Sequence, residues 1–525
     1  MEEVNQFLES QTREIKRLYI QSAYAWWDSM ISGKLEDYKK SEKYSKEYAK
    51  FFNNNKNFEI VKRFLKTKIK DRLVERQLKL LYNSYLGSQG DISLINKIIK
   101  KSTEIEKKFN TFRAKVDEKE LTDNEIKEIL KKDLNSERLQ KVWEASKEQG
   151  ALVEKDLIEL VKLRNQLAKS LGFNNYYEMS LFLNEQKKEE IKKIFDELYK
   201  LTKRPFKKVK QEIDYYLKKR LNVKEIKPWH YQELFFQTGP EISKVKLNKY
   251  CKNILRVTNR FYSNMGLETE DIFNRSDLYE KKGKYQHACC MSLDKTNDIR
   301  VIMNLKDDAY WFTTSLHELG HAVYNKYIDK KLPFLLREAS HILTTEAIAL
   351  LLERNSKNLL FIKRYLNVNS NEIEQIQKDI EISLKIRQLV FSSWEQVMVN
   401  FEMKMYEHPD QNLNKLWYDL IKKYQLIDFE RDKPDWASKI HIATSPAYYH
   451  NYMLGELYAS QINNYITKNI LKQKNAKNLD YGDKEIGNYL ISKIFSPGTK
   501  YPWNELIKYS TGEELNLKYW VKEFC

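Results

Sequence analysis

Glycine and proline are scarce in this sequence: its 525 residues include 14 glycines and 9 prolines, and no proline precedes Pro205. Both residue types interrupt helices, so we expect the first 204 residues to form long helices with few breaks. Two expected helix boundaries are Gly33, as a stop, and Thr122, as an N-cap whose capping box is completed by Glu125.

Cysteines and long apolar runs are also scarce. The four cysteines have irregular spacing, which argues against a disulfide framework and favours a reducing compartment, so we expect a cytoplasmic protein. No apolar run reaches roughly 18 residues, so we expect no membrane span. The acidic, polar start of the chain does not have the pattern of a signal peptide.

The net charge of +18 could indicate nucleic-acid binding, because clustered lysines and arginines release counterions from phosphates. Lysines in this chain are interleaved with acidic residues along predicted helices, as in residues 187–197. Such alternation is typical of solvated helix faces. We therefore expect no nucleic-acid partner, and we expect a monomer.

One short motif carries specific chemistry: His317-Glu318-Leu319-Gly320-His321. Residues four apart share one helix face, so His317 and His321 can direct imidazole nitrogens at one ion, and zinc suits this pair. Glu318 lies beside them, where a carboxylate could take a proton from water at the metal. The alternative is a helix whose histidines are only hydrogen-bonded within a core.

A second helix is predicted after Leu332-Pro333, and it offers a third ligand. Glu346 follows His317 by 29 residues and lies on a largely uncharged stripe, where an inward carboxylate needs a partner. Glu353 lies two turns further along the same face, and we interpret it as an ordinary ion-pair residue rather than a ligand.

Two further stretches complete the pattern. Residues 285–293 and 299–305 are β-prone and flank a polar turn, which predicts a β-hairpin just before the first histidine. Near the C-terminus, His441 and Tyr452 lie in an aromatic stretch. An imidazole or a phenol there could stabilise the oxyanion of a tetrahedral intermediate.

These motifs resemble those of the angiotensin-converting enzyme family, the peptidyl-dipeptidase A zinc peptidases, with looser similarity to thimet-type oligopeptidases. The similarity runs from about His287 to Tyr452 and more faintly across the N-terminal half. The matching positions are His287-Ala288, thirty residues before His317; Leu332-Pro333 with Leu336-Arg337; Glu346-Ala347-Ile348; Lys439-Ile440-His441; and Tyr449 with Tyr452.

The resemblance implies a mostly α-helical, two-lobed fold of the gluzincin type, with a deep cleft. The small hairpin would lie beside the helix that carries His317 and His321. We expect one catalytic peptidase domain spanning 1–525, with a helical N-terminal lobe or lid in 1–240 and a lobe carrying the zinc site and substrate-binding residues in 241–525. One zinc ion would be held by the predicted ligands His317, His321 and Glu346. The catalytic residues would be Glu318, His441 and Tyr452.

The resemblance also implies how a peptide would bind. Lys439 would bind the C-terminal carboxylate of the substrate, with Tyr449 and Gln232 helping. His287 and the backbone at Ala288 would hold the peptide as an added strand. The expected activity is release of C-terminal dipeptides from short peptides. An oligoendopeptidase or a carboxypeptidase on the same fold is the nearer alternative, and a non-catalytic helical protein that binds RNA or peptides is the more distant one.

Three departures from the family pattern matter. Asn451 stands where the family has the arginine associated with chloride activation, which argues against chloride dependence. Leu350 stands where the family has an acid that supports a zinc histidine, so another residue must orient that histidine. The spacing from His441 to Tyr452 leaves open whether Tyr449 or Tyr448 is the counterpart of the family tyrosine.

Overall fold

The computed structural model describes residues 1–240, 247–285, 287–368, 372–474 and 479–525. The chain is mostly α-helical, as predicted. Within these ranges the strands form two antiparallel sheets of two strands each. The first part of the chain contains α1 (Glu2–Ser32), α2 (Leu35–Phe52), α3 (Asn55–Leu65), α4 (Arg72–Gly87), α5 (Ile92–Thr111), β1 (Ala114–Val116), β2 (Lys119–Leu121), α6 (Asp123–Lys132), α7 (Ser136–Ser170), α8 (Tyr176–Leu183) and α9 (Lys188–Leu221).

The second part carries the motif helices. Its elements are α10 (Ile254–Asn264), α11 (Glu270–Arg275), β3 (Cys289–Ser292), β4 (Ile299–Ile302), α12 (Ala309–Lys326), α13 (Ile342–Glu353), α14 (Leu359–Tyr365), α15 (Ile373–Glu407), α16 (Leu413–Gln425), α17 (His441–Thr444), α18 (His450–Tyr465), α19 (Lys484–Leu490), α20 (Trp503–Thr511) and α21 (Lys518–Phe524). Among the described residues, no helix combines the length and apolar character needed to cross a membrane.

The predicted helix boundaries have the expected local chemistry. Gly33 follows α1 in the left-handed region, with a φ of 66°, and its backbone N–H donates to the carbonyl of Ser29. Thr122 caps α6, and Glu125 completes the capping box. Pro205 lies inside α9 without ending it.

The chain forms two compact units, and each combines distant stretches of sequence. Unit 1 comprises Met1–Gln89, Val245–Ile380 and Leu454–Trp520. Unit 2 comprises Gly90–Lys244, Glu381–Met453 and Val521–Cys525. The predicted division after residue 240 adjoins residues 241–246, which lie outside the described ranges. The single catalytic domain therefore stays a prediction.

The predicted hairpin is present in unit 1 as β3 and β4, paired from Cys289↔Ile302 to Ser292↔Ile299. Gln286, in the first predicted run, lies outside the described residues. Helix α1 holds this hairpin through a buried apolar cluster consisting of Ala23, Trp27, Leu293 and Ile302. At its turn, the carboxylate of Asp294 accepts hydrogen bonds from the backbone N–H groups of residues 296, 297 and 298.

Helices α12 and α13 pack against each other very closely. Gly320 allows this approach, because a Cβ built there would lie only 2.7 Å from the Cα of Ala349. The N-terminus of α12 is capped by Asp308, whose carboxylate accepts a hydrogen bond from the Trp311 N–H at 2.8 Å. In α13, every residue from Leu343 to Glu353 is buried, so its acidic side chains need polar partners inside unit 1.

Candidate metal centre

Three of the predicted residues converge between α12 and α13. The Nε2 atoms of His317 and His321 lie 3.2 Å apart. The carboxylate of Glu346 lies 3.7 Å from His317 Nε2 and 3.9 Å from His321 Nε2. Zinc ligands about 2.0–2.2 Å from a tetrahedral ion are separated by roughly 3.3–3.6 Å. The two imidazoles and the carboxylate therefore suit zinc in both chemistry and spacing.

Each histidine is oriented through its other ring nitrogen. His317 Nδ1 lies 2.8 Å from a carboxylate oxygen of Glu353, and His321 Nδ1 lies 2.7 Å from the hydroxyl of Thr345. These hydrogen bonds leave both Nε2 atoms facing the same point, beside Glu346. Glu346 and Glu353 lie two helical turns apart in α13, yet the carboxylates of both lie close to the His317 ring.

The contact that Glu353 makes with His317 was not predicted from the sequence, although Leu350 left a predicted zinc histidine in need of another partner. The signal was present, because Glu353 lies seven residues after Glu346 on the same helix face. In α13, residue numbers fall as those in α12 rise along the contact, from Glu353 beside His317 to Thr345 beside His321. This antiparallel packing carries Glu353 to the first histidine.

Glu318 is buried, with 7% of its surface exposed. Burial raises the pKa of its carboxyl to about 7; the imidazole of His317 opposes this rise, and the carboxylates of Glu346 and Glu353 add to it. A carboxyl with a pKa near neutrality can both take up and return a proton. This is the property that the sequence motif requires of a general base.

Unit 2 contains a second group of predicted residues, built around Lys439. Its ammonium group donates a hydrogen bond to Gln237 Oε1 at 2.8 Å, and the Tyr449 hydroxyl lies 3.5 Å from the same oxygen. The ammonium also lies 5.2–5.4 Å from the ring centroids of Phe235, Trp394 and Tyr449. Burial lowers the pKa of Lys439 to about 8. We call Lys439, Gln237 and Tyr449 the lysine cluster.

Two further predicted residues of unit 2, His441 and Tyr452, lie close to this cluster. The ring of His441 lies 5.0 Å from that of Tyr449, and Tyr452 lies 5.5 Å from Tyr449. Tyr448 contacts Tyr452 at 5.2 Å, while the described contacts with Gln237 and Trp394 are made by Tyr449. In the described part of the chain, no hydrogen bond joins Gln232 to the lysine cluster, and Gln237 makes those contacts instead.

His287 and Ala288 directly precede β3 in unit 1. His287 is exposed, and its ring lies 5.3 Å from that of Tyr285. Strand β3 pairs with β4 along one edge. In the described ranges no further strand joins this sheet, so the other edge of β3 has the character of an edge strand.

The helical fold brings His317, His321 and Glu346 together, with the buried Glu318 beside them. Such an arrangement is typical of metal-dependent hydrolases. Comparison with known proteins identifies the family. The family model described as Peptidase family M3 matches residues 129–525, which is more than half of the sequence, so the chain belongs to peptidase family M3. A second family model, described as Angiotensin-converting enzyme, matches residues 1–232.

Two curated relatives agree with these families. An angiotensin-converting enzyme from Theromyzon tessulatum is 20% identical over 427 residues, which cover 75% of this chain and 69% of the relative. Thermostable carboxypeptidase 1 from Pyrococcus furiosus is 25% identical over 240 residues, which cover 40% of this chain and 46% of the relative. The predicted resemblance is confirmed, and the protein is a zinc metallopeptidase.

Proposed function

We propose that the protein is a peptidyl-dipeptidase that depends on one zinc ion and releases dipeptides from the C-terminus of short peptides. The observation that carries this proposal is the lysine cluster in unit 2, a buried cation held with a phenol and an amide. Membership of a zinc peptidase family supplies the reaction class. The lysine cluster supplies a reason for cleavage near a free carboxyl end.

His317, His321 and Glu346 would hold the zinc ion. When bound, zinc acts as a Lewis acid on the scissile carbonyl and lowers the pKa of water. Glu318 takes a proton from the attacking water and passes it to the leaving amine, a role that its buried position beside His317 supports. His441 and Tyr452 donate hydrogen bonds to the oxyanion that develops on the substrate.

Lys439 binds the C-terminal carboxylate of the peptide in this proposal. Burial of the ammonium group lowers the pKa of Lys439, and the nearby carboxylates of Glu233 and Glu395 only partly oppose that effect. A substrate carboxylate would add a further negative charge beside the ammonium group, and the Tyr449 hydroxyl could donate a second hydrogen bond to it. Gln237 fixes the ammonium before the substrate arrives, since its side-chain oxygen already accepts from Lys439 at 2.8 Å.

The peptide backbone would add to the hairpin as a further strand, along the edge of β3 that begins after His287 and Ala288. This binding mode requires an extended substrate, so short unfolded peptides are the proposed partners.

We also propose a cytoplasmic location, which the free thiols of all four cysteines support. The monomeric state stays a prediction.

The likeness to a thermostable carboxypeptidase favours a second candidate, which is removal of one C-terminal residue at a time. The same lysine cluster would serve that reaction, because both activities need a free carboxyl end. The two candidates differ in the length of the fragment released.

Mass spectrometry of the products tests both candidates. One peptide is offered with a free and with an amidated C-terminus, in the presence and absence of a zinc chelator, and Glu318→Gln serves as the inactive control. We expect dipeptides from the free peptide, little cleavage of the amide and none with chelator. Single residues would favour the carboxypeptidase, and equal internal cleavage of both peptides would contradict the role of Lys439.

A further inference from the structure

The segment Ile440–Tyr452, which we call the 440–452 segment, carries three residues with proposed roles: His441, Tyr449 and Tyr452. Residues 445–449 in its middle lie outside the helices. It begins with the four-residue helix α17 and continues through turns to the start of α18 at His450. Ala447 lies in the left-handed region, with a φ of 53°. A non-glycine residue keeps that conformation only where its surroundings impose it.

Arg164, on α7, holds the first part of the segment. Its guanidinium group donates to the backbone carbonyls of Ile442, at 3.0 Å, and Ala443, at 2.6 Å. It also donates to the hydroxyl of Tyr406 at 3.1 Å, and only 4% of the arginine is exposed. The last carbonyls of a helix lack partners within it and form its negative end. The planar guanidinium satisfies two of them at once.

Glu402, on α15, holds the middle of the segment. Its carboxylate accepts a hydrogen bond from the Ala447 N–H at 2.7 Å, and only 3% of the glutamate is exposed. Burial raises the pKa of Glu402 to about 7, with the bond from Ala447 opposing the rise. The contact therefore lies at the residue whose backbone conformation most needs support.

Gln186 holds the end of the segment. Its side-chain amide donates to Asn451 Oδ1 at 2.8 Å, and its oxygen lies 2.7 Å from His450 Nε2. All three anchoring side chains belong to unit 2, as does the segment itself. The segment is therefore fixed at its start, middle and end by side chains that lie far away in sequence.

We propose that Arg164 and Glu402 are positioning residues, which fix the 440–452 segment so that His441, Tyr449 and Tyr452 keep the geometry that turnover requires. This inference rests on the proposed function for the roles of those three residues. Arg164 directs a buried guanidinium group at the last carbonyls of α17, and Glu402 directs a buried carboxyl group at the N–H of Ala447, which lies in the left-handed region. Misplacing reacting groups by about 1 Å can cost roughly 100-fold in rate.

The test uses the full-length enzyme loaded with zinc. Arg164→Lys keeps the charge but loses the planar fork, and Glu402→Met removes the acceptor for the Ala447 N–H. Glu402→Gln is the rescue variant, because its side-chain oxygen can still accept that bond. Arg76→Lys is the matched control: Arg76 is a buried arginine of unit 1 that donates to the carbonyl of Thr499 at 2.8 Å.

Two readouts are taken for each variant: kcat and KM on a peptide with a free C-terminus, and hydrogen exchange of the 440–452 amides measured by mass spectrometry. We expect kcat to fall roughly 10–100-fold in Arg164→Lys and Glu402→Met. Exchange in the segment should become faster in both. Glu402→Gln should stay within a few-fold of wild type on both readouts. Arg76→Lys should leave kcat and this exchange unchanged, even where its melting temperature falls.

A wild-type kcat in folded Arg164→Lys and Glu402→Met would overturn the inference, as would unchanged exchange or an equal loss of kcat in Arg76→Lys. If the wild-type enzyme itself cleaves no peptide, the proposed function fails. The hydrogen-exchange comparison then decides by itself whether these two residues hold the segment, because it needs no turnover.

Discussion

Replacing Glu353 should weaken zinc binding without removing a ligand. Glu353 is 6% exposed, and its carboxylate lies 2.8 Å from His317 Nδ1. A hydrogen bond to a charged group contributes about 1.5–3 kcal/mol, which corresponds to roughly 10–150-fold in a dissociation constant. Loss of a partner that orients a metal-binding histidine costs roughly 10–100-fold. The two estimates agree, so we expect Glu353→Ala to raise the zinc Kd roughly 10–100-fold.

Two matched variants sharpen this prediction. Glu353→Gln keeps an oxygen that can accept a hydrogen bond from His317 but loses the negative charge. Because the retained neutral hydrogen bond still contributes about 0.5–1.5 kcal/mol, the loss of zinc affinity should stay under about tenfold. Thr345→Val removes the neutral partner of His321 and should cost a similarly small amount. Of the three variants, Glu353→Ala should therefore lose the most affinity for zinc.

The assay is competition for zinc against a chromophoric chelator at fixed pH, on protein shown to be folded by circular dichroism. The reasoning is refuted if folded Glu353→Ala binds zinc as tightly as wild type. It is also refuted if Thr345→Val loses more affinity than Glu353→Ala, because the charged partner should dominate.

Three further predictions follow from other contacts. Glu318→Gln should bind zinc normally and lose roughly 100-fold or more in kcat, as measured on a fluorogenic peptide; a wild-type rate would remove Glu318 as the base. Gly320→Ala should destabilise the protein by about 1–3 kcal/mol in thermal unfolding, because the new Cβ would lie 2.7 Å from Ala349 Cα; an unchanged melting temperature would argue against that close packing. Lys439→Met should lower kcat/KM roughly 10–150-fold for peptides with a free C-terminus and change it little for amidated peptides. In the wild-type enzyme, KM for the free peptide should rise as the pH passes about 8, where Lys439 loses its proton. A KM that stays constant across that pH range would argue against a role for the Lys439 cation.

Local patterns predicted the parts of the candidate metal centre that depend on one helix. The spacing of His317 and His321 fixes their common face on α12, whatever packs against it. The polar turn between two β-prone runs likewise predicted the hairpin of β3 and β4. Glu346 was predictable because a carboxylate on an otherwise uncharged stripe needs a partner.

Contacts between separate elements were not predictable in the same way. Counting helix rise from Glu346 placed Glu353 far from the proposed ligands, since the count ignores the antiparallel packing that carries Glu353 to His317. Gln237 was missed because it lies in irregular chain after Pro228–His230, where no periodicity indicates which side chain points inward. In sequence, Arg164 and Glu402 resemble ordinary charged residues of long helices.

Anomalous diffraction at the zinc edge tests the central claim most directly. Crystals of the zinc-loaded protein should show one strong peak within bonding distance of His317 Nε2, His321 Nε2 and the Glu346 carboxylate, and Glu346→Ala should weaken or abolish that peak. A strong peak elsewhere, or one that persists at full strength in Glu346→Ala, would contradict the account.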